Sequence, residues 1–315
     1  MIAKRDVRFA SPLLRIAALL SLSAAVRPEP SAGAGQQTVE RPTGARVAHF
    51  AVLCTGSTHG SAQHKKWYWG SNERIYRTLR DVYGYADEAV YRLHEEGRRK
   101  DPAVDGQASL ANFRKVFAHL AKAMRDGDHL LVYLVGHGGP SRGDYVYDLT
   151  DGKVTAAELG QLLDALPTPN VVLVLNPCFS GGFISRTSGK GRVVCTSTTA
   201  KESNAAGWEG YMTKALAGAE GADADGDGRV SLKEAYNASI DGTKRWYENK
   251  NRPLREHPLL DDNGDGTGHF GKDKTVKGDG ELAARTFLGD EGRKLSYDES
   301  ALTALGKANQ ALELE

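Results

Sequence analysis

The sequence has few cysteines, a net charge near zero and no apolar run long enough to cross a membrane comfortably. Three cysteines among 315 residues exclude the disulfide framework that holds many small secreted domains together. Lysine and arginine total 41 against 40 acidic residues, a formal net charge of +1, and no dense Lys/Arg stripe with interleaved aromatic residues is present. We therefore expect no nucleic-acid partner.

The N-terminus differs in composition from the rest of the chain. Four basic residues precede the apolar stretch Ile16–Val26, and small residues follow at Ser23–Ala25. A basic region, a short apolar region and a small-residue site predict a signal peptide over residues 1–25, hence export to the periplasm or the cell exterior, without stable membrane insertion after cleavage. A retained membrane anchor is the alternative. Residues 26–46 are rich in Pro, Gly, Ala and Gln, which predicts a disordered linker.

Two apolar runs, Leu130–Val135 and Val171–Leu175, organise the remaining chain. Both have the length of a strand and show no polar alternation, as expected for strands buried on both faces of a parallel sheet. The first run leads into His137 and the second into Cys178. Because ligands bind outside the carboxyl ends of parallel strands, these two residues are a candidate proton carrier and nucleophile.

Strand and helix patterns alternate around these runs. The sequence between them carries a capping box, Thr155 with Glu158, and leucines at helical spacing, which predicts a crossover helix that makes the two strands neighbours. We predict a doubly wound, three-layer α/β sandwich with a mainly parallel sheet over residues 47–250. Further strands are expected at residues 49–54, 89–93 and 192–196. Helices are expected after Ser71 and Ser109, with residues 64–70 as an aromatic loop.

The cysteines other than Cys178 are expected to stay unpaired. Cys54 and Cys195 fall near the ends of the first and fifth predicted strands. Two other strands separate these in the expected sheet, which puts the Cα atoms roughly 14 Å apart, too far for a disulfide.

A hydrophobic run ending in His-Gly, then another ending in Cys with Ser-Gly behind it, resembles the cysteine peptidases grouped with caspases, metacaspases, gingipains and legumain (clan CD). The segment Tyr133–Gly139 is most similar to the legumain (C13) branch. The resemblance implies a caspase-like sheet and a cysteine endopeptidase acting on peptides or proteins. It makes Cys178 the nucleophile, His137 the proton carrier, and the backbone N–H groups of Gly138 and Cys178 the oxyanion hole.

The same resemblance suggests where substrate binds. It assigns a pocket role to Asn176, two residues before the cysteine, and to the loop that begins with Ser197 and Thr198. Legumain-type sequences often carry an Asn after the Gly-Ser of the first strand, whereas Thr58 stands here. We therefore do not assign a third catalytic residue from the resemblance, nor a preference for Asn or Asp in the substrate.

The thiolate would attack a carbonyl to give a thioester that water hydrolyses, while His137 protonates the leaving amine.

Two alternative functions stay open. The same dyad could transfer the acyl group to an amine, as in a transamidase, or the chain could be a catalytically inactive calcium-binding interaction module. A cysteine after an apolar strand can also be an inert core residue.

An acidic segment over residues 223–234 has the spacing of an EF-hand loop. Its candidate calcium ligands stand at positions one, three, five, seven, nine and twelve, the seventh through its backbone carbonyl: Asp223, Asp225, Asp227, Arg229, Ser231 and Glu234. A capping box explains Ser231 and Glu234 but not three alternating aspartates, so we predict bound Ca²⁺.

Residues 251–315 are predicted to hold an acidic loop and short C-terminal helices, with no chemistry assigned. The turn Asp261–Gly266 begins like a second calcium loop, but Gly268 and Lys272 stand at positions eight and twelve, where the pattern fails. A partial site or a set of turns is expected there.

Overall fold

The computed structural model describes residues 47–271 and 278–289. The predicted signal peptide and linker lie outside these residues, as does the C-terminal segment after residue 289. Of the short helices predicted near the C-terminus, the described residues contain one 3-10 turn, Ala283–Arg285. The strands are β1 His49–Thr55, β2 Val90–His94, β3 Gly106–Gln107, β4 His129–Val135, β5 Gly138–Ser141, β6 Asp144–Asp148, β7 Lys153–Thr155, β8 Val171–Leu175, β9 Arg192–Thr196 and β10 Leu259–Asp261. The helices are α1 Ala62–Arg77, α2 Leu110–Ala123, α3 Ala156–Asp164, α4 Ile184–Thr187, α5 Trp208–Leu216 and α6 Leu232–Asn249.

Seven strands form the central sheet in the order β10-β9-β8-β4-β1-β2-β3. Every neighbouring pair is parallel except β10 with β9. Alternate residues of each strand face opposite sides of the sheet. On one side Leu53 and Tyr133 pack with α1, α5 and α6, and on the other Val52 and Val132 pack with α2, α3 and α4. The predicted three-layer α/β sandwich is confirmed.

The crossover from β4 to β8 passes through α3, as predicted. The Thr155 hydroxyl accepts from the Glu158 N–H at the start of α3. β4 and β8 are hydrogen-bonded neighbours, with Leu134 opposite Leu175. Their carboxyl ends therefore lie side by side, and the loops that follow them begin from adjacent points.

The predicted separation of Cys54 and Cys195 is confirmed. β8 and β4 lie between the strands that carry them, and both cysteines are free. Both are fully buried in the core. Burial raises the pKa of the Cys54 thiol to about 12 and also raises that of Cys195, so both are protonated and unreactive at neutral pH.

The prediction of a loop over residues 64–70 is wrong. Ser61, not Ser71, caps α1, and its hydroxyl accepts from the His64 N–H. Ser71 lies inside the helix, where its hydroxyl is 2.6 Å from that of Tyr133 on β4. The aromatic residues and Gly70 lower the helical propensity of this segment, but packing against the sheet outweighs that preference.

The structure also contains an antiparallel sheet that the sequence pattern did not predict. Strands β5, β6 and β7 form it, between β4 and α3. The glycines after His137 are the start of β5. A second addition is β10, which extends the central sheet beyond residue 250. Among the described residues no helix has the length and apolar character needed to cross a bilayer.

Candidate active site

The loop that carries Cys178 follows β8 and has a fixed, strained backbone. The Asn176 N–H donates to the Leu134 carbonyl, which continues the sheet ladder by one residue. Phe179 then adopts the left-handed conformation at φ 61°, which is rare for a residue with a side chain. Strain of this kind is common at functional sites, where the surrounding structure maintains it. Here it turns the chain sharply just after the half-buried Cys178.

Two glycines after the nucleophile are required by close packing. A Cβ on Gly182 would lie 2.2 Å from the Tyr145 ring, and one on Gly181 would lie 2.7 Å from the Ala200 backbone nitrogen. Neither contact can be relieved by moving a flexible side-chain end. The Ser-Gly-Gly sequence therefore lets the loop pack between the small sheet and the segment after β9.

The Cys178 sulfur is held as a thiol. Burial raises its pKa, and the Asn204 backbone N–H, which donates to Sγ at 3.3 Å, opposes this shift. The carboxylates of Glu256 and Glu209 raise the pKa further. The resting sulfur is therefore mainly protonated at neutral pH, and a base must take its proton for it to react.

The structure places Ser197 and Thr198 beneath the cysteine loop. Both side chains are fully buried. The Ser197 hydroxyl donates to the Asn176 carbonyl at 3.1 Å, and the Thr198 hydroxyl accepts from the Ser180 N–H at 3.2 Å. They hold the cysteine loop in place. Asn176 is also buried, and its amide oxygen accepts from the Asn204 side chain at 2.6 Å.

His137 lies after β4 among other aromatic rings. Its Nε2 is 3.0 Å from Nδ1 of His64 on α1. The His59 ring stacks on it at 4.5 Å, and the Tyr68 ring meets it edge-on at 5.8 Å. Burial lowers the pKa of His137, and the neighbouring His59 and His64 lower it further, while Asp148 opposes the shift. The imidazole is therefore neutral at neutral pH and can act as a base.

His64 is a site residue that the sequence reasoning missed. Thr58, at the place where legumain-type sequences often have Asn, is buried and hydrogen-bonded to Glu95. Instead, the His64 ring contacts Nε2 of His137, so Nδ1 is the ring nitrogen of His137 that His64 does not contact. Recognition of Ser61 as a helix cap would have placed His64 in the first turn of α1.

The two loops meet at the carboxyl edge of the sheet. A Cβ on Gly138 would lie 2.8 Å from the Pro177 Cβ and 3.6 Å from the Cys178 carbonyl oxygen. Tyr68, which contacts the His137 ring, also lies close to Cys178. The pKa of Tyr68 is raised mainly by burial, and the Cys178 sulfur adds to this shift. The sequence prediction that His137 and Cys178 share one end of the sheet therefore agrees with the placement of their loops.

The ladder of the small sheet also explains how Gly138 could serve in an oxyanion hole. The Asp148 N–H donates to the His137 carbonyl, so Gly138 and Tyr147 form a non-hydrogen-bonded pair. In such a pair the N–H groups point away from the partner strand. The Gly138 N–H is thus directed away from β6, and the absence of a Cβ lets a substrate approach it.

A cleft of about 770 Å³ opens between α1 and the segment that runs into α5. Trp67, which is 51% exposed, and Glu209 line it. Glu209 is only 7% exposed, and its Oε2 has no hydrogen-bond partner among the described residues. The Asn204 Oδ1, beside the nucleophile, also lacks a donor. Unsatisfied buried acceptors are costly, and Glu209 is the one of these two residues that lines the cleft.

The segment 223–234 adopts a compact acidic loop. The carboxylates of Asp223, Asp225 and Asp227 each bring an oxygen within 4.8 Å of the others. Glu234 folds back over the loop, where it accepts from the Ala224 N–H at 2.8 Å. The predicted capping box is also present, through Ser231 and Glu234. The hard oxygen donors and their convergence fit Ca²⁺, and the capping box is compatible with it.

Comparisons with known proteins give one family match over part of the chain. The model of the Peptidase C13 family, the legumain family, matches residues 111–236, a range that includes both His137 and Cys178. No curated protein matches the chain. A crystal structure of protein GSU0716 from Geobacter sulfurreducens is similar at 14% identity and a TM-score of 0.44, covering 68% of this chain and 92% of that one. The Peptidase C13 match supports a cysteine-peptidase type of function for this part of the chain.

Proposed function

We propose that this protein is a cysteine endopeptidase in which Cys178 is the nucleophile and His137 the proton carrier. The observation that carries the proposal is the meeting of their two loops at the carboxyl edge of adjacent strands, with the Gly138 N–H directed away from its own sheet. Peptides or proteins are the substrates that a peptidase family implies.

The reaction begins from a neutral pair. Because burial raises the pKa of Cys178 and lowers that of His137, the proton stays on sulfur until substrate binds. His137 removes this proton as Sγ attacks the peptide carbonyl carbon. The N–H groups of Gly138 and Cys178 stabilise the oxyanion, and the imidazolium then protonates the leaving amine. Water hydrolyses the thioester, with His137 as base again.

The substrate-binding cleft is the one between α1 and α5. Glu209, which lines this cleft and has an oxygen without a hydrogen-bond partner among the described residues, supports a substrate whose side chain next to the cleaved bond carries N–H donors. Arg74 lies close enough to Glu209 to lower its pKa, although burial raises it more. An amide or a cationic side chain would satisfy this acceptor.

Calcium binding and export complete the proposal. Asp223, Asp225, Asp227, the Arg229 carbonyl, Ser231 and Glu234 would hold Ca²⁺, which would tie α6 to the segment after α5. The Val230 side chain within this loop is buried in the core, so a rigid loop would stabilise the packing beneath it. Export through residues 1–25 is tested by N-terminal sequencing of protein recovered from outside the cytoplasm.

The decisive experiment compares the parent with Cys178→Ala on a peptide library, each with calcium and with chelator. We expect cleavage by the parent, none by the variant and a reduced rate after chelation. Equal cleavage by parent and variant would overturn the proposal. Adding an amine nucleophile separates the chemistries, because amide-linked products in place of hydrolysis would identify the transamidase reaction instead.

A further inference from the structure

The loop 261–267 repeats the backbone geometry of the loop 223–229. In the first loop, backbone N–H groups donate to the side chains at positions one, three and five: Gly226 to Asp223, Asp227 to Asp225, and Arg229 to Asp227. The second loop has the same three bonds: Gly264 to Asp261, Asp265 to Asn263, and Thr267 to Asp265. The two loops therefore share one fold.

The glycines confirm this equivalence. Positions four and six are glycines with positive φ in both loops, at 75° and 84° for Gly226 and Gly228, and at 81° and 78° for Gly264 and Gly266. These conformations favour glycine. The sequence pattern alone could not establish this match, because the second loop departs from the EF-hand pattern from position eight onward.

Asp261 provides an independent sign of a ligand. Only 1% of it is exposed, and its Oδ1 accepts from the Ser188 hydroxyl at 3.1 Å and the Gly264 N–H at 3.3 Å. Its Oδ2 is buried and has no hydrogen-bond partner among the described residues. Because Gly264 belongs to the loop, its bond holds the carboxylate within the turn. A buried carboxylate oxygen without a donor is costly unless a cation or a ligand completes it.

The charged groups around Asp261 add negative charge rather than neutralise it. The carboxylates of Asp279 and Asp265 both lie close enough to act electrostatically on Asp261. Asp262 is directed elsewhere, towards the Gly280 and Ala283 N–H groups. Asp279 is paired with His269.

The loop is also held rigidly before any ligand binds. Asp261 ends β10 and pairs with Val194 on β9. The Ser188 hydroxyl accepts from the Gly266 N–H at 3.1 Å, and Gly264 packs against Gly189, where an added Cβ would lie 3.1 Å from the carbonyl carbon. A preorganised loop loses little entropy when a cation binds.

We propose that this loop is a second divalent-cation site, of a class suited to Ca²⁺. Its ligands are Asp261 Oδ2, the side-chain oxygens of Asn263 and Asp265, and the Thr267 carbonyl, at positions one, three, five and seven. Water completes the shell. With two carboxylates against four in the loop 223–234, it binds calcium more weakly. The cation neutralises Asp261 at the edge of the central sheet.

The test is calcium titration by isothermal calorimetry on the full chain, with Asp265→Asn as the main variant. Asp265 is exposed, so its loss does not threaten folding. We expect Asp265→Asn to lose the weaker binding event or to weaken it at least about tenfold, and Asp223→Asn to lose the stronger one. The exposed Asp126→Asn, outside both loops, should match the parent.

Anomalous scattering from crystals soaked in terbium locates the site independently of affinity. A peak between Asp261 and Asp265 in the parent, absent in Asp265→Asn, is expected. Unchanged calcium stoichiometry and affinity in Asp265→Asn, with no peak at this loop, would overturn the proposal. The two calcium sites can be tested separately. If the loop 223–234 binds no calcium, the parent should still show one calcium-binding event, and Asp265→Asn should remove it.

Discussion

The carboxyl edge around Cys178 and the acidic loop 223–234 are built in different ways. At the edge, His137, His64 and Cys178 come from three separate parts of the chain, and the central sheet and α1 bring them together. In the loop, twelve consecutive residues supply every proposed ligand, and most hydrogen bonds join residues two to five positions apart. Substitutions far from Cys178 in sequence should therefore impair the active site. Calcium binding by the loop 223–234 should be lost only when residues of the loop itself are changed.

The largest effect is expected from removal of the proposed proton carrier. His137→Ala should lower kcat/KM about 10²- to 10⁴-fold, because general acid–base catalysis contributes this much. His119→Ala is the matched control, since His119 packs on Tyr91 of β2, away from the dyad. Steady-state kinetics on the best library peptide measure both. Comparable losses in the two variants would indicate unfolding rather than catalysis.

Calcium removal should act on stability through the local loop. At a calcium concentration of 100 times Kd, binding to the folded state alone adds about 2.7 kcal/mol to the free energy of unfolding. We expect chelation to remove this contribution from the parent, while Asp225→Asn should show a much smaller response. Urea unfolding with and without calcium measures it. An unchanged midpoint in the parent would contradict calcium stabilisation.

A pair of glycines tests whether the cysteine loop depends on distant packing. Gly182→Ala should destabilise the fold by about 1–3 kcal/mol, because its Cβ would overlap the Tyr145 ring on β6. Gly210→Ala, in α5 with open space around its Cβ, should instead stabilise it by about 0.5–1 kcal/mol. Chemical unfolding of both variants checks the signs. Equal effects would mean that the clash is relieved without cost.

The smallest effect concerns the pH profile of His64→Ala. In the parent the reactive imidazole is neutral and its pKa is lowered, so activity should fall only when the pH drops below the ordinary histidine value of about 6.5. His64 is one of the groups that lower the pKa of His137, so its removal should raise that pKa and move the acidic limb to higher pH. We also expect about a tenfold loss in kcat/KM, partly restored in His64→Gln. An unshifted limb would show that His64 does not act on His137.

Sequence patterns predicted the main strands well and the surroundings of the dyad poorly. β4, β8 and α3 were predictable because continuous apolar runs and a capping box are signals within a few residues. The small sheet β5–β7 was missed because its strands are only three to five residues long and the first of them begins with two glycines. α1 was misread because Gly70 and the aromatic residues favour a loop, and that error concealed His64.

The sequence by itself determined the alternation of strands and helices, the residues that end β4 and β8, and the oxygen donors of residues 223–234. These are local properties, since periodicity, capping and ligand spacing act over one or two turns of chain. Only the tertiary structure decided that His64 lies 3.0 Å from His137, that Ser197 and Thr198 support the cysteine loop, and that a buried oxygen of Asp261 has no partner among the described residues. Each of these depends on contacts between residues distant in sequence, which a linear pattern does not encode.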